Sequence, residues 1–211
     1  RADREAGVRW LGPLLPGVEA VIFDEAHQLP DTASLFFGVR LSAHQLAGLA
    51  RDAVTEELKE SSGIAELKPA AQALEKAAAD FRLALGVNPR RDSWSILADD
   101  IAVSASLTEL KQQLARLGAI LQAAAAAGQG LANCAARAQA LGEQLDFVTQ
   151  GDTSEYVAWF ETTARSFSLN LTPLDIANSL RAHLTGNRAW VFTSATLSMN
   201  GRFDHFLAQL G

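Results

Sequence analysis

Val18-Glu19-Ala20-Val21-Ile22-Phe23-Asp24-Glu25-Ala26-His27 decides how this chain is read. The first six residues follow Pro16-Gly17 and are rich in β-branched and aromatic side chains, which predicts a short buried strand. The next four place two carboxylates and an imidazole at its carboxyl end. In parallel α/β sheets ligands bind at the carboxyl ends of strands, so the segment predicts a chemical site in preference to an acidic surface turn. An aspartate there can hold Mg²⁺ beside the phosphates of ATP. A neighbouring carboxylate can orient or deprotonate an attacking water.

Ala189-Trp190-Val191-Phe192-Thr193 reads as a second strand of the same kind, and Thr193-Ser194-Ala195-Thr196-Leu197-Ser198 extends from it. Hydroxyl residues are ordinary at strand ends. Beside a carboxylate motif they suit a relay, because they bond both to a strand-end residue and to a loop. Tyr156 to Thr162 and Ser166 to Leu171 predict a hairpin turning at Thr163-Ala164-Arg165. In its second strand Phe167, Leu169 and Leu171 share one face against Ser166, Ser168 and Asn170. A helix is expected from Thr172-Pro173-Leu174-Asp175 to about Leu184, with Thr172 as N-cap, and it stops before Gly186-Asn187.

The middle is helical. Leu67, Ala71, Leu74, Ala78, Phe81 and Leu85 follow alternating steps of four and three. Leu107, Leu110, Leu114, Leu117 and Leu121 keep that spacing, as do Leu131, Cys134, Ala138, Leu141, Leu145 and Val148. A weaker helix runs from about Ser42 to Glu60, and breaks fall at Ser61-Ser62-Gly63, Gly86 to Pro89, Gly128 to Gly130 and Gln150 to Asp152. Such seams predict a small antiparallel bundle. The chain therefore reads as α/β and α, a helical bundle inserted into part of a parallel sheet layer.

The 211 residues carry a formal charge of −6, so a broad basic footprint for nucleic acid is missing. One cysteine, Cys134, permits neither an internal disulfide framework nor a cysteine metal site. No stretch is long and apolar enough to span a bilayer, and a cytoplasmic protein is expected. Residue 1 is Arg and the lone methionine is Met199, so the chain is read as an excised internal segment.

Val21 to Leu29, Leu171 to Asp175 and Trp190 to Ser198 together resemble the DinG and YoaA branch of superfamily 2 DNA helicases, relatives of the XPD helicases. These stretches bracket the chain and occur in the family's order. The resemblance implies a helical arch domain inserted into a RecA-like motor domain. It divides the chain into residues 1–30 and 155–211 of the motor and 31–154 of the arch. It further implies that Asp24 helps hold Mg²⁺ with ATP, that Glu25 activates water, and that His27 communicates with the hydroxyl motif. Ser194 and Thr196 would couple hydrolysis to strand movement. Single-stranded or forked DNA is the implied partner, with 5′-to-3′ movement and a role in DNA repair. A four-iron, four-sulfur cluster is implied for the whole protein, on cysteines outside this chain, and Cys134 at a heptad core position is not read as a ligand.

No Gly-x-x-x-x-Gly-Lys-Ser/Thr loop occurs, so the main phosphate cradle is missing. The chain alone is expected neither to bind ATP tightly nor to hydrolyse it. The alternative is a non-catalytic binding module whose arch receives single-stranded DNA or a partner protein. His44, His183 and His205 have no metal-ligand spacing and read as surface or capping residues. Arg90-Arg91 reads as a solvated loop between bundle helices, Trp159 as a packing residue, Arg165 as a turn residue, and Arg116 and Arg137 as outer helix faces. The end strands lack most of a sheet, so either association of copies through exposed edges or disorder near both ends is expected.

Overall fold

The computed structural model describes residues 19–60, 63–97, 99–150, 154–184, 189–197, 202–204 and 206–207. Val18, the break residues Ser61-Ser62 and Gly151-Asp152, the helix stop at Gly186-Asn187, and Ser198 and His205 lie outside them. The chain forms two compact units: residues 39–171, and the flanking residues up to Gly38 and from Thr172 onward.

In the flanking unit, β1 (Ala20–Phe23) and β6 (Ala189–Phe192) pair in parallel, Ala20 opposite Ala189 and Phe23 opposite Phe192. A parallel pair needs a crossover connection, and here the whole inserted unit lies within it. Helices α1 (Leu29–Phe37) and α6 (Ile176–Leu184) pack on each other. Phe23 stacks on Trp190 and Phe192, with centroids 5.9 and 5.6 Å apart, and Ala26, Ala33, Leu180 and Phe206 complete a small core. The strands expected to be buried are covered on one face only: Ile22 is 68% exposed and Val191 43%. Among the described residues this sheet has just two strands, which leaves its other face open.

Among the described residues the inserted unit holds four α-helices: α2 (Ala43–Glu60), α3 (Leu67–Ala84), α4 (Ile101–Ala124) and α5 (Gln129–Gln150). Each packs on its sequence neighbour and α5 returns to α2, closing a ring. The heptad seams are its core. From Leu67 to Leu85, Leu110 to Leu121 and Leu131 to Val148 every seam residue is buried, and only Leu107 at the margin is partly so. Each fully buried leucine contributes about 1.5–3 kcal/mol relative to exposure. The Glu60 and Glu56 carboxylates of α2 lie against Gly128 and Gly130 at the start of α5, where a Cβ would make these flexible side chains shift. Those carboxylates face the positive end of the α5 dipole.

An antiparallel four-stranded sheet completes this unit, in the order β2 (Val39–Ser42), β5 (Phe167–Pro173), β4 (Tyr156–Thr162), β3 (Arg90–Ser93). The predicted hairpin is present, closed by the Thr163 N–H donating to the Ser166 carbonyl at 2.8 Å. Its strands belong to the unit of the helices, whereas the sequence groups residues 155–211 together. The units divide after Gly38 and after Leu171, against sequence boundaries after residues 30 and 154.

Three local readings change. Arg90 and Arg91 form an edge strand opposite Thr162 and Glu161, not a loop. Ser168 and Asn170 are buried like their apolar neighbours, since β5 is a central strand, and the Asn170 amide donates to Ser168 Oγ at 3.1 Å. The last helix starts at Ile176, because β5 extends through Pro173 and Asp175 takes the cap, its Oδ1 accepting from the Asn178 N–H at 3.2 Å.

Candidate active site

The parallel register delivers two strand ends side by side. Asp24 leaves β1 immediately after Phe23, and Thr193 leaves β6 immediately after Phe192. The Thr193 N–H donates to the Phe23 carbonyl at 2.8 Å, and the Thr193 carbonyl accepts from the Ala26 N–H at 2.9 Å. Between these two bonds the chain turns sharply. Glu25 has φ 51 and ψ 42, and among the described residues it is the one non-glycine at positive φ. Such a conformation costs about 1–3 kcal/mol and persists where its surroundings fix it. Ala26, fully buried in the small core, and the 3-10 turn Ala26–Gln28 provide that fixation.

The turn splays three side chains. Asp24 Oδ1 accepts from Thr193 Oγ1 at 2.8 Å and from the Glu25 N–H at 3.0 Å. His27 Nδ1 lies 2.8 Å from Ser194 Oγ and 3.2 Å from Glu25 Oε2. Ser194 Oγ donates to Glu25 Oε2 at 3.4 Å and lies 3.4 Å from Thr196 Oγ1. With the proton on Nδ1, His27 donates to Ser194 and Ser194 to Glu25, so one tautomer satisfies the set. The Glu25 and His27 side chains are 58% and 41% exposed, so their attraction is solvent-screened and serves orientation more than stability. All five residues singled out by sequence, Asp24, Glu25, His27, Ser194 and Thr196, therefore lie in one cluster.

No protein-family model matches the chain. Two proteins described as ATP-dependent DNA helicase YoaA are similar to it. That of Haemophilus influenzae is 35% identical over 212 residues, and that of Escherichia coli K12 is 34% identical over 227. Each match covers the whole chain and 33% of the helicase. By sequence this chain is similar to YoaA helicases along its whole length. It spans about a third of the length of the curated relatives it matches.

Thr193 is the site residue that the sequence reading missed. It stands first in the hydroxyl motif, but only the strand register reveals that it faces Asp24. The donor set suits a hard cation in part. Among the described residues nothing donates to Asp24 Oδ2, and carboxylate oxygens are the ligands Mg²⁺ prefers. Among the described residues no group of three or more His, Cys, Asp or Glu could enclose a metal, so the cluster supplies one side of a metal–nucleotide site.

The other residues weighed from sequence belong to the inserted unit, apart from His183 and His205. His44 is exposed at the start of α2, and the side chain of His183 is outside the described residues. Arg91 stacks over Trp159 at 3.8 Å and Arg90 over Phe160 at 4.9 Å, so both pack on their sheet. Arg137 pairs with Asp52 at 2.5 Å, joining α5 to α2, while Arg116 and Arg165 are exposed. Cys134 is buried in the bundle core, where loss of solvation pushes its thiol pKa up, opposed by nearby Arg137. Among the described residues no helix is long and apolar enough to cross a membrane.

Proposed function

We propose that this chain is the part of an ATP-dependent DNA helicase that carries half of the nucleotide site and a helical arch. In the whole protein, ATP hydrolysis would drive 5′-to-3′ movement on single-stranded or forked DNA, in DNA repair and in the cytoplasm. Residues 39–171 would be the arch and the flanking unit part of the motor. One observation carries the reading. The Asp24-Glu25-Ala26-His27 turn and the Thr193-Ser194-Ala195-Thr196 segment are hydrogen-bonded to each other at the ends of adjacent parallel strands.

Bound Mg²⁺ would supply charge neutralisation at the phosphates. Asp24 offers Oδ2 for it, held by the bonds on Oδ1. Glu25, turned outward by its left-handed backbone and held by Ser194 and His27, would accept a proton from water. Because His27 and Ser194 touch the same carboxylate oxygen, a shift of the hydroxyl segment would move that base, which is the basis for coupling. The main phosphate cradle lies outside this chain, so the chain by itself would not turn over ATP. The iron–sulfur cluster would likewise be bound outside it.

The test compares the full-length protein with residues 1–211 alone. Full-length protein should hydrolyse ATP in a DNA-stimulated manner, and Glu25→Gln should lower kcat by about 10²-fold or more. The isolated chain should show no Mg²⁺-dependent turnover. Unchanged kcat in the full-length Glu25→Gln variant would sink the assignment.

A further inference from the structure

We propose that Thr193 is the positioning residue that fixes which oxygen of Asp24 a divalent cation meets, an inference that rests on the nucleotide-site reading above. Asp24 and Thr193 leave paired strands one residue past Phe23 and Phe192, so their side chains emerge together. Thr193 binds the β1 end three times: through its N–H to the Phe23 carbonyl, its carbonyl to the Ala26 N–H, and its hydroxyl to Asp24 Oδ1 at 2.8 Å.

The hydroxyl has one proton and two acceptors within reach, the other being the Phe23 carbonyl at 3.4 Å. The shorter bond, to a carboxylate, is the stronger. With the Glu25 N–H at 3.0 Å, Oδ1 carries two donors, while Oδ2 carries none among the described residues. Two donors on one oxygen restrict the carboxylate to a single orientation, and the undonated oxygen is the one left for a cation. The neighbouring hydroxyl serves a different group, since Ser194 contacts Glu25 and His27. Thr193 and Ser194 thus divide the two carboxylates between them.

The experiment uses the full-length protein and Mn²⁺ with ADP, because free and bound Mn²⁺ are distinguished by electron paramagnetic resonance. Thr193→Val removes the hydroxyl at similar volume, Thr193→Ala does so with no added branching, and Thr193→Ser retains it. Loss of an outer partner of a metal ligand weakens metal binding about 10- to 100-fold, which is expected for Val and Ala. Ser should stay within about threefold of the parent. ADP affinity measured in EDTA should be unchanged in all three.

Val and Ala variants that keep parental Mn²⁺ affinity, while Asp24→Asn loses it, would overturn the role of Thr193 alone. Loss of metal-free ADP binding together with Mn²⁺ binding would also overturn it, since Thr193 would then be maintaining the strand end. If Asp24→Asn retains Mn²⁺ affinity, the nucleotide-site reading itself fails and the inference falls with it.

Discussion

Glu25 and Arg82 show two ways in which single residues are held against their intrinsic preference. Glu25 takes a left-handed backbone because the Ala26 N–H is bound to Thr193 and the Ala26 side chain is sealed in a core. Arg82 is a buried cation, 5% exposed, and among the described residues its hydrogen-bond partners are backbone carbonyls. Its Nε and Nη2 donate to the Thr163 carbonyl and its Nη1 to the Gly86 carbonyl at 2.6 Å. Gly86 has φ 108, so that carbonyl is presented by a conformation other residues avoid. The guanidinium thereby ties the end of α3 to the β4–β5 turn. Hydrogen bonds to a charged donor contribute about 1.5–3 kcal/mol, and removing the donor strands two carbonyls. Arg82→Met should lower unfolding free energy by at least that amount, about 1.5–3 kcal/mol, seen as a reduced urea midpoint at unchanged slope. A midpoint equal to the parent's would show that the tie is dispensable. Nothing in the sequence marks Arg82, since it sits one position off the α3 seam between Phe81 and Leu83 and its partners are backbone atoms 81 and four residues away.

At the scale of elements, what is local was legible and what is paired at long range was not. The helix seams could be read because one buried stripe repeats every three or four residues, and Leu67, Leu114 and Leu141 each declare it without reference to a partner. Strands β2 and β3 are four residues long, too short to display a period against their surroundings. Their status comes from β5 and β4, which lie about 130 and 70 residues away, as Val39 opposite Leu171 and Arg90 opposite Thr162 show. The cap of α6 was misplaced for a related reason. Thr172-Pro173 satisfies a local helix-start rule, but pairing of β5 holds those residues in the sheet, and Asp175 is the next side chain able to cap. Asp100 meets both requirements at α4, where its Oδ1 accepts from Ala102 and Val103 N–H at 2.9 and 3.1 Å. Asp100→Ala should cost about 0.5–2 kcal/mol, and Asp100→Asn much less, in thermal or denaturant unfolding. Equal losses for Ala and Asn would point to the charge rather than the cap.

At the scale of the whole molecule the two units contrast in how completely they are closed. The inserted unit has a ring of four helices and a sheet around one continuous core. Among the described residues the flanking unit rests on a two-stranded parallel sheet, and all-parallel sheets occur almost always with both faces covered. The candidate site needed that pairing, which depends on strands separated by more than 160 residues, and so the sequence could nominate Asp24 and Ser194 but not show that Thr193 lies against Asp24. The same pairing leaves Ile22 and Val191 on an open face, and among the described residues the outer edges of β1 and β6 have no neighbouring strand. Unpaired edges beside exposed apolar side chains favour pairing with another chain. Residues 1–211 should therefore sediment as concentration-dependent oligomers. Ile22→Lys with Val191→Lys should shift them toward monomer without changing the helical circular dichroism, because neither residue is part of the bundle core. A concentration-independent monomer before substitution would mean that this open face does not drive association.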